Sequence, residues 1–454
     1  MKRPNILFLM SDQHRADVTG FENNSVIRTP TLDHLAETGV VFRNAYTPSP
    51  ICVPARQCLV SGQLPKTCGC EGWIDLAPGY RTFPREFSRY AYNTVCSGKL
   101  HHLTQDQMQG WTKRVAPDAV MMDRCIEDRI EKEFARYKAS PGTGKWSNQR
   151  EVEEARAVEG PYQKFDERAL QAGLDFLDRY FGDSVYLRPQ SHRPLLFKLS
   201  FLQPHYPFFT DRERFEYYLE QVPIYREEPC GHPVLSLSQQ RKPVNVKDEA
   251  IRRATAAYYG MIDRIDSYYG QTIDRLKMLG ENMDDWIIVY TSDHGEMLGQ
   301  HGIWEKTRFY EASVRVPLII RWPAGFEGGR VVDENVNLCD LFATLCDLAG
   351  IEVPDGLDSR SLVPLLQGTA CEWNNESVSQ MWKSEVMIKR DSLKYQYYGE
   401  DIPEVLFDLN SDPGEYTNAA EDPAYADAMA EFRSRLSELG HGPDADPDYT
   451  NAGY

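Results

Sequence analysis

The chain has 454 residues, 41% hydrophobic and 26% charged, enough to bury a large core in one large unit plus a smaller one. A formal net charge of −18 argues against nucleic acid and anionic membranes as partners, and offers no long-range attraction to a polyanionic polymer. No stretch approaches a membrane span, and the apolar run 6–10 behind Lys2 and Arg3 is too short for a secretory signal, so a cytoplasmic location is expected.

Residues 5–10 read as a buried strand, continuously apolar and ending abruptly in Ser11-Asp12. Ligands of open α/β sheets sit beyond the carboxyl ends of such strands, which places Asp12 for a metal; a helix or turn cap is the other use of an aspartate there. A helix opens at Thr29-Pro30-Thr31, and a short strand covers 40–42. Next comes Ile51-Cys52-Val53-Pro54-Ala55-Arg56-Gln57-Cys58-Leu59-Val60-Ser61-Gly62. Pro54 suits the first turn of a helix, which puts Cys52 at the entrance, where the macrodipole favours negative charge. Arg56 lies one turn on and can reach back. The pattern suits a nucleophile for an anionic substrate, or a buried structural cysteine. Cys68-Gly69-Cys70 lacks a partner pair at zinc spacing and reads as loop or core cysteines.

Residues 82–90 look helical, and 93–96 form a strand ending in Ser97-Gly98-Lys99-Leu100-His101-His102. Lys99 can hold an anion's oxygen, and His101 can move a proton near neutral pH; an ordinary polar loop is the alternative. The polar, poorly patterned stretch 112–163 is expected to be an insertion over the site that shapes substrate choice. Helical spacing spans 165–181. The apolar strand 195–201 runs into Gln203-Pro204-His205-Tyr206-Pro207. A long amphipathic helix is predicted over 248–279, closed by Gly280. The strand 286–290 leads to Ser292-Asp293-His294-Gly295-Glu296, where Asp293 and His294 can face one cation if Gly295 lets the backbone turn. A strand over 314–321, a helix over 336–349, short strands within 381–409 and a helix over 425–439 complete the chain. The expected division is 1–374 and 375–454.

The segment Cys52 to Gly62 resembles the signature of the type I sulfatases, Cys-x-Pro-Ser/Ala-Arg followed by Leu-x-Ser/Thr-Gly. Pro4 to Gln13, Gly98-Lys99-Leu100-His101, Pro204-His205-Tyr206-Pro207 and Ser292 to Lys306 resemble that family's other motifs, in its order, and Leu406 to Glu415 resembles its closing segment. The likeness spans residues 4–418. It implies an α/β fold of the alkaline phosphatase superfamily, with a mixed sheet between helices and a smaller C-terminal α+β subdomain.

It also implies that a maturation enzyme oxidises Cys52 to formylglycine, whose hydrate attacks the sulfur of a sulfate ester. One divalent cation would be held by Asp12, Gln13, Asp293, His294 and residue 52. Calcium is expected, with manganese as the alternative that an imidazole ligand favours. Arg56, Lys99 and Lys306 would surround the sulfate oxygens, His205 would protonate the leaving alcohol, and His101 would break the sulfated hemiacetal. Many members have Asp-Asp where this chain has Asp12-Gln13, and Asp-Asn where it has Asp293-His294. That pairing is similar to choline sulfatases and phosphonate monoester hydrolases, and leaves Gln13 as a weak ligand or as a donor behind the ligands. Asp106 to Trp111 also resembles choline sulfatases. The expected activity is hydrolysis of a small or carbohydrate sulfate ester. A phosphonate monoester or phosphodiester hydrolase and a silent binding protein of the same fold are the alternatives. The acidic end 442–454 reads as a frayed tail or, by the resemblance, as an arm reaching a neighbouring subunit of a homo-oligomer.

Overall fold

The computed structural model describes residues 3–118, 148–182, 193–226, 231–237 and 244–443. Strand β1 (Asn5–Asp12) is apolar at nearly every step because both of its faces are covered. Ile6, Phe8 and Met10 enter one core with Cys58, Leu59 and Val60, while Leu7 and Leu9 enter another with Leu32 and Leu35. Helices α1 (Pro30–Thr38), α4 (Pro161–Leu177) and α5 (Asp248–Met278) build the second core. Helices α2 (Cys52–Ser61), α3 (Phe83–Arg89) and α6 (Leu341–Leu348) build the first.

The sheet between them contains β2 (Val40–Phe42), β3 (Asn93–Gly98), β4 (Lys113–Ala116), β5 (Leu195–Pro204), β6 (Trp286–Ser292), β7 (Leu318–Arg321) and β8 (Arg330–Val332). Its order is β8-β2-β7-β6-β1-β5-β3-β4. Strand β7 runs antiparallel to both neighbours and every other pair is parallel, so the sheet is mixed, as expected. Register decides where the site can be. Asp12 lies opposite Pro204, Ser11 opposite Ser292, and Gly98 opposite Ser200. Four parallel strands therefore end side by side, with Asp12 the last residue of β1 and Lys99, His205 and Asp293 in the loops that leave the other three.

A four-stranded antiparallel sheet follows, formed by β9 (Glu376–Met381), β10 (Glu385–Arg390), β11 (Leu393–Tyr397) and β12 (Val405–Asp408) in chain order. Helix α7 (Ala426–Glu438) covers one face with Met429, Phe432 and Leu436. From the other, Met381, Met387 and Phe407 pack with Ile51, Met297, Ile303 and Tyr310. That face backs the residue before Cys52 and the loop after Asp293.

Three expectations are corrected. The strand over 314–321 begins only at Leu318, after a helical turn Glu311–Val314, because Pro317 has no N–H to give a ladder. The helix over 336–349 is instead a short strand, a turn and α6, since Asn337 and Asp340 close a capping box that starts the helix late. The insertion over 112–163 is partly structure: Lys113–Ala116 is the sheet's edge strand and α4 already begins at Pro161. Residues 119–147 of that stretch, and 444–454 of the acidic end, lie outside the described residues.

Candidate active site

Helix α2 begins at Cys52, with Pro54 in its first turn, and is buried along its whole length. It points its first residue at the ends of β1 and β6. Donor atoms of Asp12, Cys52, Asp293 and His294 lie within 4.8 Å of one another, and all four residues are buried. Cys52 Sγ is 3.2 Å from His294 Nε2 and 3.8 Å from Asp12 Oδ1. His294 Nδ1 is 3.0 Å from the Gly295 carbonyl, so that nitrogen donates and Nε2 keeps its lone pair for the cluster. Gly295 is required, though not for a left-handed turn: a Cβ there would lie 2.0 Å from the Ala312 carbonyl oxygen. Two carboxylates, an imidazole with a directed lone pair and residue 52 form a donor set that fits one divalent cation.

The helix entrance does not make Cys52 a thiolate. Burial and the neighbouring Asp12 push its thiol up to about 12, which overrides a macrodipole whose effect is confined to the first turn. At neutral pH the unmodified side chain is a protonated thiol.

Arg56 also departs from expectation. Its Nε donates to Asp293 Oδ2 at 2.7 Å, and Nη2 to Asp12 Oδ2 at 3.0 Å and the Ser11 carbonyl at 3.4 Å. Nη1 donates to the Lys99 carbonyl at 3.0 Å and Ser200 Oγ at 3.1 Å. All five N–H groups are thereby used within the protein, so Arg56 holds the two carboxylates in place and has no donor left for a sulfate oxygen. Lys99 Nζ lies 2.5 Å from Asp12 Oδ2. Burial works to raise the pKa of Asp12, but Lys99, His205 and Arg56 outweigh it and hold the carboxyl well below its ordinary range.

Gln13 spends its side chain on two other partners. Its amide nitrogen donates to Glu296 and its oxygen accepts from Lys306 Nζ at 2.5 Å. Its backbone N–H donates to Asp293 Oδ1 at 3.0 Å. Lys306 Nζ also lies 2.9 Å from His205 Nε2, while His205 Nδ1 faces the Tyr206 carbonyl at 2.6 Å. The resting imidazole therefore accepts from Lys306. Burial and that ammonium lower its pKa far below the usual histidine value. His101 is likewise neutral, through burial and the nearby Lys99, and its buried Nδ1 has no hydrogen-bond partner among the described residues.

Several residues that shape the site escaped the sequence reading. Asp118 Oδ2 accepts from the backbone of Leu100 at 2.7 Å and His101 at 2.5 Å. Asp166, on α4, accepts from Leu202 at 2.7 Å and Gln203 at 3.0 Å, just before His205. Glu296 accepts from Leu298 and Glu305 backbone N–H groups as well as from Gln13. Each stands far along the chain from part of what it holds, and a lone acid carries no spacing signal. Backbone strain gathers here too, with positive φ at the non-glycine residues Gln13, His101, Leu298, His301, Glu305 and Thr307.

Comparison with known proteins decides the family. The family model described as Sulfatase matches residues 4–351, and the one for the C-terminal part of N-sulphoglucosamine sulphohydrolase matches residues 299–441. This chain is a sulfatase. It belongs to the type I sulfatases of the alkaline phosphatase superfamily and is a sulfuric ester hydrolase. The choline-sulfatase of Rhizobium meliloti (strain 1021) is 33% identical over 451 residues, covering 93% of this chain and 83% of that protein. The arylsulfatase of Clostridium perfringens (strain 13 / Type A) is 29% identical over 474 residues, covering 96% and 94%. The phosphonate monoester hydrolase of Silicibacter pomeroyi shares the sulfatase's fold with a TM-score of 0.77 at 23% identity, over 96% of this chain and 95% of that one.

Proposed function

We propose that the sulfatase hydrolyses sulfate esters of small alcohols or sugars through formylglycine made from Cys52 by a maturation enzyme. A divalent cation would be held by Asp12, residue 52, Asp293 and His294, with calcium as the proposed ion and manganese as the alternative. The observation that carries this reading is the convergence of those four buried donors beside Lys99 and Lys306.

The chain's own groups supply the rest. Formylglycine hydrate offers an oxygen where Sγ now stands, at the mouth of α2 and between Asp12 and His294. When bound, the cation lowers the pKa of that hydrate and polarises a sulfate oxygen. Lys99 and Lys306 place positive charge where the ester's oxygens collect negative charge. Arg56 keeps both carboxylates aimed, through its bonds to Asp293 and Asp12. The proton for the leaving alcohol comes from the Lys306–His205 pair, since the ammonium already donates to Nε2. His101, neutral and with Nδ1 unpartnered, takes the hydroxyl proton of the sulfated hemiacetal; the C–O bond to sulfate then breaks and the aldehyde returns.

Rates on paired phenyl sulfate and phenyl phosphonate esters test this function. A higher kcat/KM on the sulfate supports it, and a higher value on the phosphonate replaces it with the phosphonate monoester hydrolase reading.

A further inference from the structure

We infer that Trp73 is a specificity-determining residue of this site, stacking on a flat apolar ring carried by the sulfated alcohol; this rests on the sulfatase function proposed above. The inner groups are sealed, with Asp12, Cys52, Arg56, Lys99, Asp293, His294 and Lys306 each no more than 3% exposed. His101 at 7% and His205 at 9% are the most open members of the set, so the pocket meets solvent along the two imidazoles. Whatever the sulfate is attached to must pass there.

Both imidazoles are walled by aromatic rings. Trp73 lies edge-on to His101, with centroids 5.4 Å apart and planes at 65°. Tyr206 and Tyr162 lie 4.2 Å and 5.9 Å from His205. Trp73 differs from the tyrosines in standing 46% exposed, and Ile74 beside it is 53% exposed. A large apolar face held half-open at the mouth of a charged pocket calls for an apolar occupant, and the substrate's ring is the group that passes it.

The face is built rather than loose. Upstream, Glu71 accepts from Gln380 Nε2 at 2.7 Å, and a Cβ at Gly72 would lie 2.8 Å from the Trp382 ring, so the C-terminal sheet clamps this side. Downstream, buried Asp75 accepts from the backbone of Leu103 and Thr104, each at 2.6 Å, and from Gln57 Nε2 at 3.3 Å. The chain on both sides of Trp73 is thus tied to helix α2, the His101 loop and the small sheet, and the indole itself rests against His101. A rigid indole binds a phenyl ring or the C–H face of a pyranose by the same offset stacking.

The test compares 4-nitrophenyl sulfate, glucose 6-sulfate and ethyl sulfate on purified, metal-loaded wild type, Trp73→Ala, Trp73→Phe and Ile74→Ala. For the ring substrate that the wild type prefers, kcat/KM relative to ethyl sulfate is expected to fall about tenfold in Trp73→Ala, chiefly through KM. Trp73→Phe is expected to keep most of the preference, and Ile74→Ala, which leaves the indole in place, to lose about threefold. The ring ester that responds tells an aryl leaving group from a pyranose. Equal losses on ring and ethyl sulfates would mean that Trp73 only supports His101, and an unchanged ratio would mean that it binds nothing; either overturns the inference. Hydrolysis of none of the three by wild type would instead overturn the substrate range proposed above, and this inference with it.

Discussion

The floor of the pocket and its rim are built on opposite principles. On the floor, Asp12, Arg56, Lys99 and Asp293 are wholly buried and tied to one another, and Arg56 spends every donor inside the protein. At the rim, His101 keeps a nitrogen with no partner among the described residues, His205 shares the Lys306 ammonium, and Trp73 stands half in solvent. A buried network with all its bonds made is rigid and tolerates no substitution, because each removal leaves a charge unpaired in low dielectric. An incompletely paired rim can exchange protons and meet different alcohols. On the proposed function, the chemistry is fixed below and the substrate is chosen above.

Substitutions can break that contrast, and the largest effect belongs to the proposed nucleophile. Cys52→Ala is expected to abolish turnover, by at least about 10⁴-fold, with the melting temperature unchanged or nearly so. Asp293→Asn comes next. It removes a donor of the proposed metal site and strands Arg56, so bound metal measured by emission spectrometry should fall and kcat/KM should drop about a thousandfold. His205→Gln should lower kcat about a hundredfold on an ethyl ester and much less on 4-nitrophenyl sulfate, whose leaving group needs little protonation. An equal loss on both esters would remove the proton-transfer role from the pair.

Smaller effects sharpen the same contrast. His101 must be neutral to accept a proton, and burial together with Lys99 lowers its pKa well below the ordinary value. The acid limb of the kcat–pH profile should therefore lie below pH 6.5. Asp166, which holds the loop before His205, is pushed up to about 8 by burial. A carboxyl whose folded pKa is raised takes up a proton on folding, so its contribution is fully present below the unfolded value near 3.9 and is lost as pH rises towards 8. Asp166→Asn should flatten the fall in stability across that window. It should also destabilise the protein by about 1–3 kcal/mol, by setting an amide NH₂ against a backbone donor.

The motifs at strand ends were legible because sequence and topology coincide there: an apolar run stops, and Asp12, Lys99, His205 or Asp293 follows at once. The strands themselves were legible as continuous apolar runs and, within 381–409, as short runs between turns, whereas the mixed order of the large sheet was expected only through the likeness to the sulfatases. Arg56 was misread because its spacing from Cys52 shows that it can reach back, and says nothing of two carboxylates arriving from β1 and β6. Asp118, Asp166 and Asp75 were invisible, since what each holds is a backbone segment identified only by the fold. Trp73 is the same case. Only its clamps on both sides turn an ordinary tryptophan in a Gly-rich loop into part of a wall.

The proposed function depends on residue 52 having lost its sulfur. The direct measurement is mass spectrometry of the tryptic peptide ending at Arg56, taken on preparations of graded specific activity. Sulfur and two hydrogens should be replaced by one oxygen at position 52, in a fraction that rises in proportion to kcat. Full turnover from protein whose Cys52 thiol is intact would contradict the account.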